Sequence, residues 1–229
     1  MRRIVCLVAL ALTACGGQAS EDVSAPAAAT PTPTPSVSAK ATATSNGARS
    51  VSEETDDFLF EYSYPKEAGA IPELAALLDR RLERSRSELA RESAEAREAA
   101  REDGFPYNKH SRTMKWNVVA DVPGWLSLSG EFSSYSGGAH GIYGFDALLW
   151  DKQNGRELET SEVFESAAAL DEALGERLCA ALDEERAKRR QEPVPEDSDD
   201  EFDRCVSVKE GTILIGSSGR GKFDRIGIQ

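Results

Sequence analysis

The stretch KWNVVADVPGWLSLSGEFSSYSGGAHGIYGFDALLWDKQNGREL, residues 115–158, decides the fold. Three runs within it, 115–121, 125–135 and 141–151, are rich in β-branched and aromatic residues and carry no helical stripe. Val122-Pro123-Gly124 separates the first two, and a glycine-rich connection separates the second and third. Lys152-Gln153-Asn154-Gly155 is a hairpin turn, because Asn-Gly accepts the positive φ that such turns need. Strands joined by short turns pair antiparallel, so this stretch predicts a mostly antiparallel sheet.

Working outward, Phe58, Phe60, Tyr62 and Tyr64 alternate with smaller or polar neighbours in FLFEYSY, the pattern of a half-buried strand. From Ile71 the period changes to 3.6: Leu74, Leu78, Leu82 and Leu89 share one stripe, with Pro72 in the first turn and Gly104 as a C-cap. A helix of about 30 residues spans roughly 45 Å. Its Ala-rich second half is expected to project beyond the sheet, with its Glu/Arg run as a solvated face. On the other side, a second helix is predicted over Ala167–Arg190, then an acidic loop over 191–203, then short strands in TILIGSS and KFDRIGIQ. The order β-α-β-β-β-α-β-β predicts an α+β fold, a mostly antiparallel sheet with two helices, one long, packed on it.

The N-terminus reads MRRIVCLVALALTAC. Arg2 and Arg3 precede an apolar run from Ile4 to Leu12, too short to cross a bilayer, which needs roughly 20 residues. Leu12-Thr13-Ala14-Cys15 fits a bacterial lipobox, so residues 1–14 are expected to be a lipoprotein signal peptide and Cys15 the lipidated residue. Gly16, rather than Asp, after Cys15 favours the periplasmic face of an outer membrane. Residues 15–52, rich in Ala, Pro, Thr and Ser, are expected to form a disordered tether.

The 229 residues carry 40 acidic and 27 basic side chains, a net charge of −13. Loss of Arg2 and Arg3 with a leader would take this to about −15. Such a surface argues against nucleic acid as a partner and favours basic proteins kinetically, though acidity serves solubility more often than binding. With Cys6 in the leader and Cys15 lipidated, Cys179 and Cys205 remain and are expected to form a disulfide in an oxidising compartment.

No nucleophile elbow, P-loop, H-E-x-x-H or dinucleotide fingerprint occurs, and neither a cofactor nor a metal site is expected. The acid pairs, Asp56-Asp57 and the run at 199–201, have no apolar setting to raise a pKa. His140 is the one catalytic candidate, as a general base beside Ser133, Ser134, Tyr135 or Ser136. The competing reading assigns Tyr135, Gly137, Gly138, His140, Gly141 and Tyr143 to a turn or partner-binding motif, with His140 bonding locally. With no third group to orient the ring, the second reading is preferred.

FEYSYPKEAGAIPEL, the long charged helix, Y-S-G-G-A-H-G (Tyr135 to Gly141) and D-x-x-x-G-x-x-L (Asp151 to Leu158) together resemble a bacterial envelope family. Its two-part module, of DUF4163 plus DUF3298 type, is shared by the non-catalytic N-terminal region of PdaC-type peptidoglycan deacetylases and the extracellular domain of RsiV-type lysozyme-sensing anti-sigma factors. The resemblance implies a first unit over 53–120 and a second over 121–229, the latter shortened at its C-terminus. The deacetylases' catalytic Asp and His motifs have no counterpart in this sequence. The implied function is a non-catalytic, lipid-anchored envelope binding module, its ligand a lysozyme-like protein or peptidoglycan. The alternatives are a cell-wall-modifying enzyme using His140, or a purely structural lipoprotein.

Overall fold

The computed structural model describes residues 38–42, 47–195 and 197–229. Strands β1 (Ser38–Thr42), β2 (Arg49–Glu54) and β3 (Phe58–Tyr64) make an antiparallel run. One helical turn, α1 (Lys66–Gly69), leads into α2 (Pro72–Asp103), which crosses back over the sheet to β4 (His110–Val122). β4 lies parallel to β3, pairing Phe58 with His110 and Tyr62 with Met114. Among the described residues this is the single parallel pair of a seven-stranded sheet ordered β1 to β7, with β5 (Trp125–Tyr135), β6 (Ile142–Asp151) and β7 (Arg156–Leu158) completing a meander. Pro123-Gly124 turns β4 into β5, with Gly124 at φ +84°. Then come α3 (Ala167–Arg190), β8 (Ile213–Gly216) and β9 (Arg225–Ile228); the last two form a separate hairpin.

Two cores lie on opposite faces of the sheet. On one face the α2 leucines Leu74, Leu78, Leu82 and Leu89 meet Phe58, Phe60, Tyr62, Trp116, Leu128 and Trp150. On the other, Leu170 of α3 packs with Val208 and Ile213. Alternation makes the assignment: Leu148 and Trp150 join the first core, so the equally buried Leu149 between them points the other way. β8 packs against β4 and β5, with Gly216 facing Val119.

Three expectations need correction. The tether expected over 15–52 ends too late, because β1 and the start of β2 belong to the sheet. Val51, set opposite Tyr62, packs on the first core, and Glu53, opposite Phe60, is buried against the Arg86 guanidinium of α2. A polar sequence hides such a strand, since its inward charge is tolerable only with an arginine supplied 33 residues later. Residues 1–37, where the signal peptide and the lipidated Cys15 are expected, lie outside the described residues, as do 43–46 and 196. The second correction concerns α2, which stays on the sheet through Leu89 and Ser93. Arg112 of β4 pairs with Glu88 and Glu92, and Arg97 reaches Asp57, so part of the charged run is inter-element contact. The unit boundary expected at 120/121 falls inside β4, and the sheet continues through it.

The Trp116 indole N–H donates to the Tyr62 hydroxyl at 3.0 Å inside the first core. Replacing Tyr62 with phenylalanine leaves that N–H buried without an acceptor and is expected to lower stability by about 1–2 kcal/mol in urea titration. Burial also pushes the Tyr62 phenol up to about 12. A raised phenol pKa means the folded state holds its proton longer than the unfolded chain does. Stability is therefore full below pH 10 and falls as pH rises from 10 through 12. Thermal melts across that range check this, and a melting temperature independent of pH there would contradict it.

Candidate functional site

The glycine-rich connection between β5 and β6, Ser136–Gly141, emerges at one end of the sheet and is fixed from below. Gly137 adopts φ +85°, which glycine accepts without strain. Its carbonyl accepts from the Asn108 side-chain amide at 3.0 Å, and a side chain added there would sit 3.6 Å from Nε2 of the buried His110. His110 lies against the Tyr107 ring, centroids 5.5 Å apart, and the Arg97 guanidinium covers that ring at 5.2 Å. The Tyr107 hydroxyl donates to the Asp57 carbonyl at 2.6 Å, and the Asp57 carboxylate pairs with Arg97. A chain of contacts thus runs from the loop to the β2–β3 turn and the end of α2.

His140 stands exposed at the end of this loop. Its Nδ1 lies 3.1 Å from the Gly141 carbonyl, a bond that places the ring proton on Nδ1. No bond to Ser133, Ser134, Tyr135 or Ser136 accompanies it among the described residues. The loop brings Tyr135, Gly137, Gly138, His140, Gly141 and Tyr143 together at one sheet end, around a backbone feature rather than a cleft. Tyr143 is 83% exposed and Ile142 62%, on opposite faces of β6, while Phe145 is 39% exposed beside Tyr143. Small positions set their spacing: the Phe132 ring fills the space over Gly144, and Met114 and Trp116 fill that over Gly130. Gly144→Val would drive a methyl into the Phe132 ring, and it is expected to cost about 1–3 kcal/mol by overpacking in urea denaturation.

The D-x-x-x-G-x-x-L signature is turn chemistry. The Asp151 carboxylate accepts from the backbone N–H groups of Gln153 and Asn154 and from the Asn154 amide, and Gly155 takes φ +62°. The Asn154 side-chain bond leads in holding the Asp151 carboxyl below the ordinary range. Cys179 and Cys205 are disulfide bonded, Cα atoms 5.3 Å apart, tying α3 to the strand-bearing tail.

The sequence offers His110 only as a remote partner for the cysteines without ligand spacing; its place under this loop is not legible there, because its burial depends on Tyr107 and on a loop 27 residues away. A cleft of about 310 Å³ opens beside β6, lined by Asp146, Thr160, Lys209 and Thr212 among others. The Asp146 carboxylate there is engaged by the Ala147 N–H. Among the described residues no cluster of His, Cys, Asp and Glu can hold a metal, and no helix is long and apolar enough to cross a membrane.

The fold and the loop define an α+β module that presents an aromatic strand end. The sequence model of a family described as deacetylase PdaC matches residues 51–143, from β2 into the start of β6 and past the expected unit boundary. Among solved structures the chain is similar to a member of the DUF3298 family from Bacteroides fragilis NCTC 9343, at 14% identity over 69% of this chain and 70% of that one, TM-score 0.35. It is also similar to a DUF3298 family protein from Pseudomonas aeruginosa PAO1, at 18% identity over 69% and 70%, TM-score 0.32. No curated protein matches the chain.

Proposed function

We propose that the protein is a non-catalytic binding module of the bacterial cell envelope, anchored by lipid at Cys15, whose ligand is a basic protein of the lysozyme type. The observation that carries this reading is the exposed Tyr143, with Phe145 beside it, on a strand end braced by the Asn108–Gly137 bond. Aromatic side chains held rigidly in the open act as anchors in protein interfaces, since they bury large area at low entropic cost. The net charge of −13 favours a basic partner by steering encounter. His140 then belongs to the turn, its ring held by its neighbour's carbonyl.

Titration of the full chain with lysozyme by calorimetry tests this. Binding at low salt, weakened about tenfold or more at high salt and reduced by Tyr143→Ala, is the expected result. No binding at low salt, or binding indifferent to Tyr143→Ala, would sink it. Retention on peptidoglycan sacculi with no lysozyme binding would replace the protein ligand by a glycan.

A further inference from the structure

The cleft beside β6 is built from three separate stretches of chain. Asp146 and Ala147 of β6 form one wall, the 3-10 turn Thr160–Val163 with Glu159 before it forms the second, and residues 209–213 form the third. The third wall is tied in place. The Thr212 hydroxyl donates to the Phe145 carbonyl at 3.1 Å, and Thr212 exchanges both backbone bonds with Gln229, at 2.7 and 3.0 Å. The second wall closes on itself, since the Glu159 N–H donates to the Glu162 carboxylate at 2.7 Å and the Glu159 carboxylate accepts from the Glu162 N–H in return. Leu170 and Ile213, both buried, supply the apolar part of the lining. A volume of about 310 Å³, held by these bonds, suits a small molecule.

Three polar groups of the lining keep bonding capacity to spare. Thr160 is 8% exposed, and its hydroxyl bonds to no group among the described residues. A hydroxyl buried to that extent is ordinarily hydrogen-bonded, so its partner comes from the cleft it lines. The Lys209 ammonium enters no ion pair among the described residues, while its neighbour Glu210 is taken by Arg204 at 3.2 Å. The Asp146 carboxylate accepts from the Ala147 N–H through one oxygen, at 2.8 Å, and its other oxygen bonds to nothing among the described residues. Glu159, by contrast, is occupied by its own turn. Lys209 and Asp146 line the same cleft without pairing to each other, which leaves room for a ligand between them.

A cation, a carboxylate and a buried hydroxyl around an apolar patch select a ligand that carries both signs of charge. A simple anion would be repelled by Asp146, and a simple cation by Lys209. A sugar would find no aromatic ring in the lining on which to stack. We infer that this cleft is a binding site for a small zwitterion of the α-amino acid or short-peptide class. Lys209 takes the ligand's carboxylate and Asp146 its ammonium, both as charge-assisted bonds. The Thr160 hydroxyl bonds to the ligand's polar backbone, and a small apolar side chain rests on Leu170 and Ile213. The inference does not rest on the lysozyme reading, since Tyr143 lines no part of this cleft.

Nuclear magnetic resonance titration of the full chain with the dipeptide alanylalanine tests it. A Kd on the order of 0.1–1 mM is expected for a ligand of this size. Acetylating its amino end or amidating its carboxyl end removes one charge, and each change is expected to weaken binding about tenfold. Lys209→Ala is expected to weaken alanylalanine about tenfold but not its amide, and Asp146→Asn to weaken it similarly but not the acetylated form. Both side chains are exposed, so neither substitution disturbs the fold. Thr160→Val keeps the shape without the hydroxyl and is expected to weaken binding several-fold; circular dichroism checks its fold. Tyr143→Ala is expected to lose lysozyme and keep alanylalanine, which separates this inference from the lysozyme reading. No shift changes up to about 50 mM alanylalanine, or binding that Lys209→Ala and Asp146→Asn both leave unchanged, overturns the proposal. So does binding of N-acetylglucosamine in place of the dipeptide, which would assign the cleft to a sugar.

Discussion

Truncating Leu78 to alanine is expected to lower the free energy of unfolding by about 3–5 kcal/mol. Leu78 has no exposed surface and sits midway along the α2 stripe, in one cluster with Phe60, Tyr62 and Leu128. The loss combines the transfer energy of the removed carbons with the cavity left behind, because the sheet on one side and the helix on the other cannot close over it. Leu174 on α3 provides the internal comparison. It is only half-buried at the rim of the second core, so Leu174→Ala is expected to cost less than half as much. Urea denaturation followed by far-ultraviolet circular dichroism reads both, as the signal comes from α2 and α3 alike. Equal losses at the two positions would mean that α2 is not the element that seals the sheet.

Replacing Cys179 and Cys205 with serine is expected to cost about 3 kcal/mol, the chain-entropy value for a loop of this length, with the loss falling on α3 and the tail. The bond closes 26 residues that contain the acidic, proline-bearing segment 191–203, which has little apolar surface of its own. Among the described residues the buried part of the second core is Leu170, Val208 and Ile213. Local bonds help hold this region: the Asp171 carboxylate accepts from the Ser207 hydroxyl and the Val208 N–H, and Arg186 donates to the carbonyls of Asp203 and Arg204. Without the disulfide these bonds must also offset the entropy of a long loop. Hydrogen exchange should show the amides of α3, β8 and β9 losing protection while those of β3 to β6 keep theirs. Loss of protection in both groups together would show that the two layers open as one unit.

The particular elements show where reading the chain succeeds. The α2 boundaries follow from Pro72, the leucine stripe and Gly104, all local signals, and the helix runs Pro72–Asp103 with Gly104 at φ +73°. Ala167–Arg190 is helical as its periodicity predicts, and Pro-Gly and Asn-Gly turn the meander where the sequence places them. The α+β class follows from the order of these elements. By contrast, β2 was hidden, because Glu53 is buried only where Arg86 reaches it, and no short-range pattern encodes a pair separated by 33 residues. The parallel pairing of β3 with β4 was equally silent, since the intervening helix fixes it through packing rather than through a turn.

The candidate site divides along the same line. Local chemistry sufficed to mark Y-S-G-G-A-H-G as a turn, because positive φ and close approach are properties of glycine itself. The bracing of that turn by Asn108, His110, Tyr107 and Arg97 belongs to the tertiary structure, which draws on the end of α2 and the entry to β4. What meets the edge of β6 is also a tertiary fact. Its sequence, GIYGFDALLWD, alternates no differently where β7 pairs with it and where the Thr212 hydroxyl reaches the Phe145 carbonyl. A sequence determines which faces its strands and helices present, because side-chain periodicity is local. Which edge stays unpaired depends on where distant segments come to rest, and only the folded chain decides that.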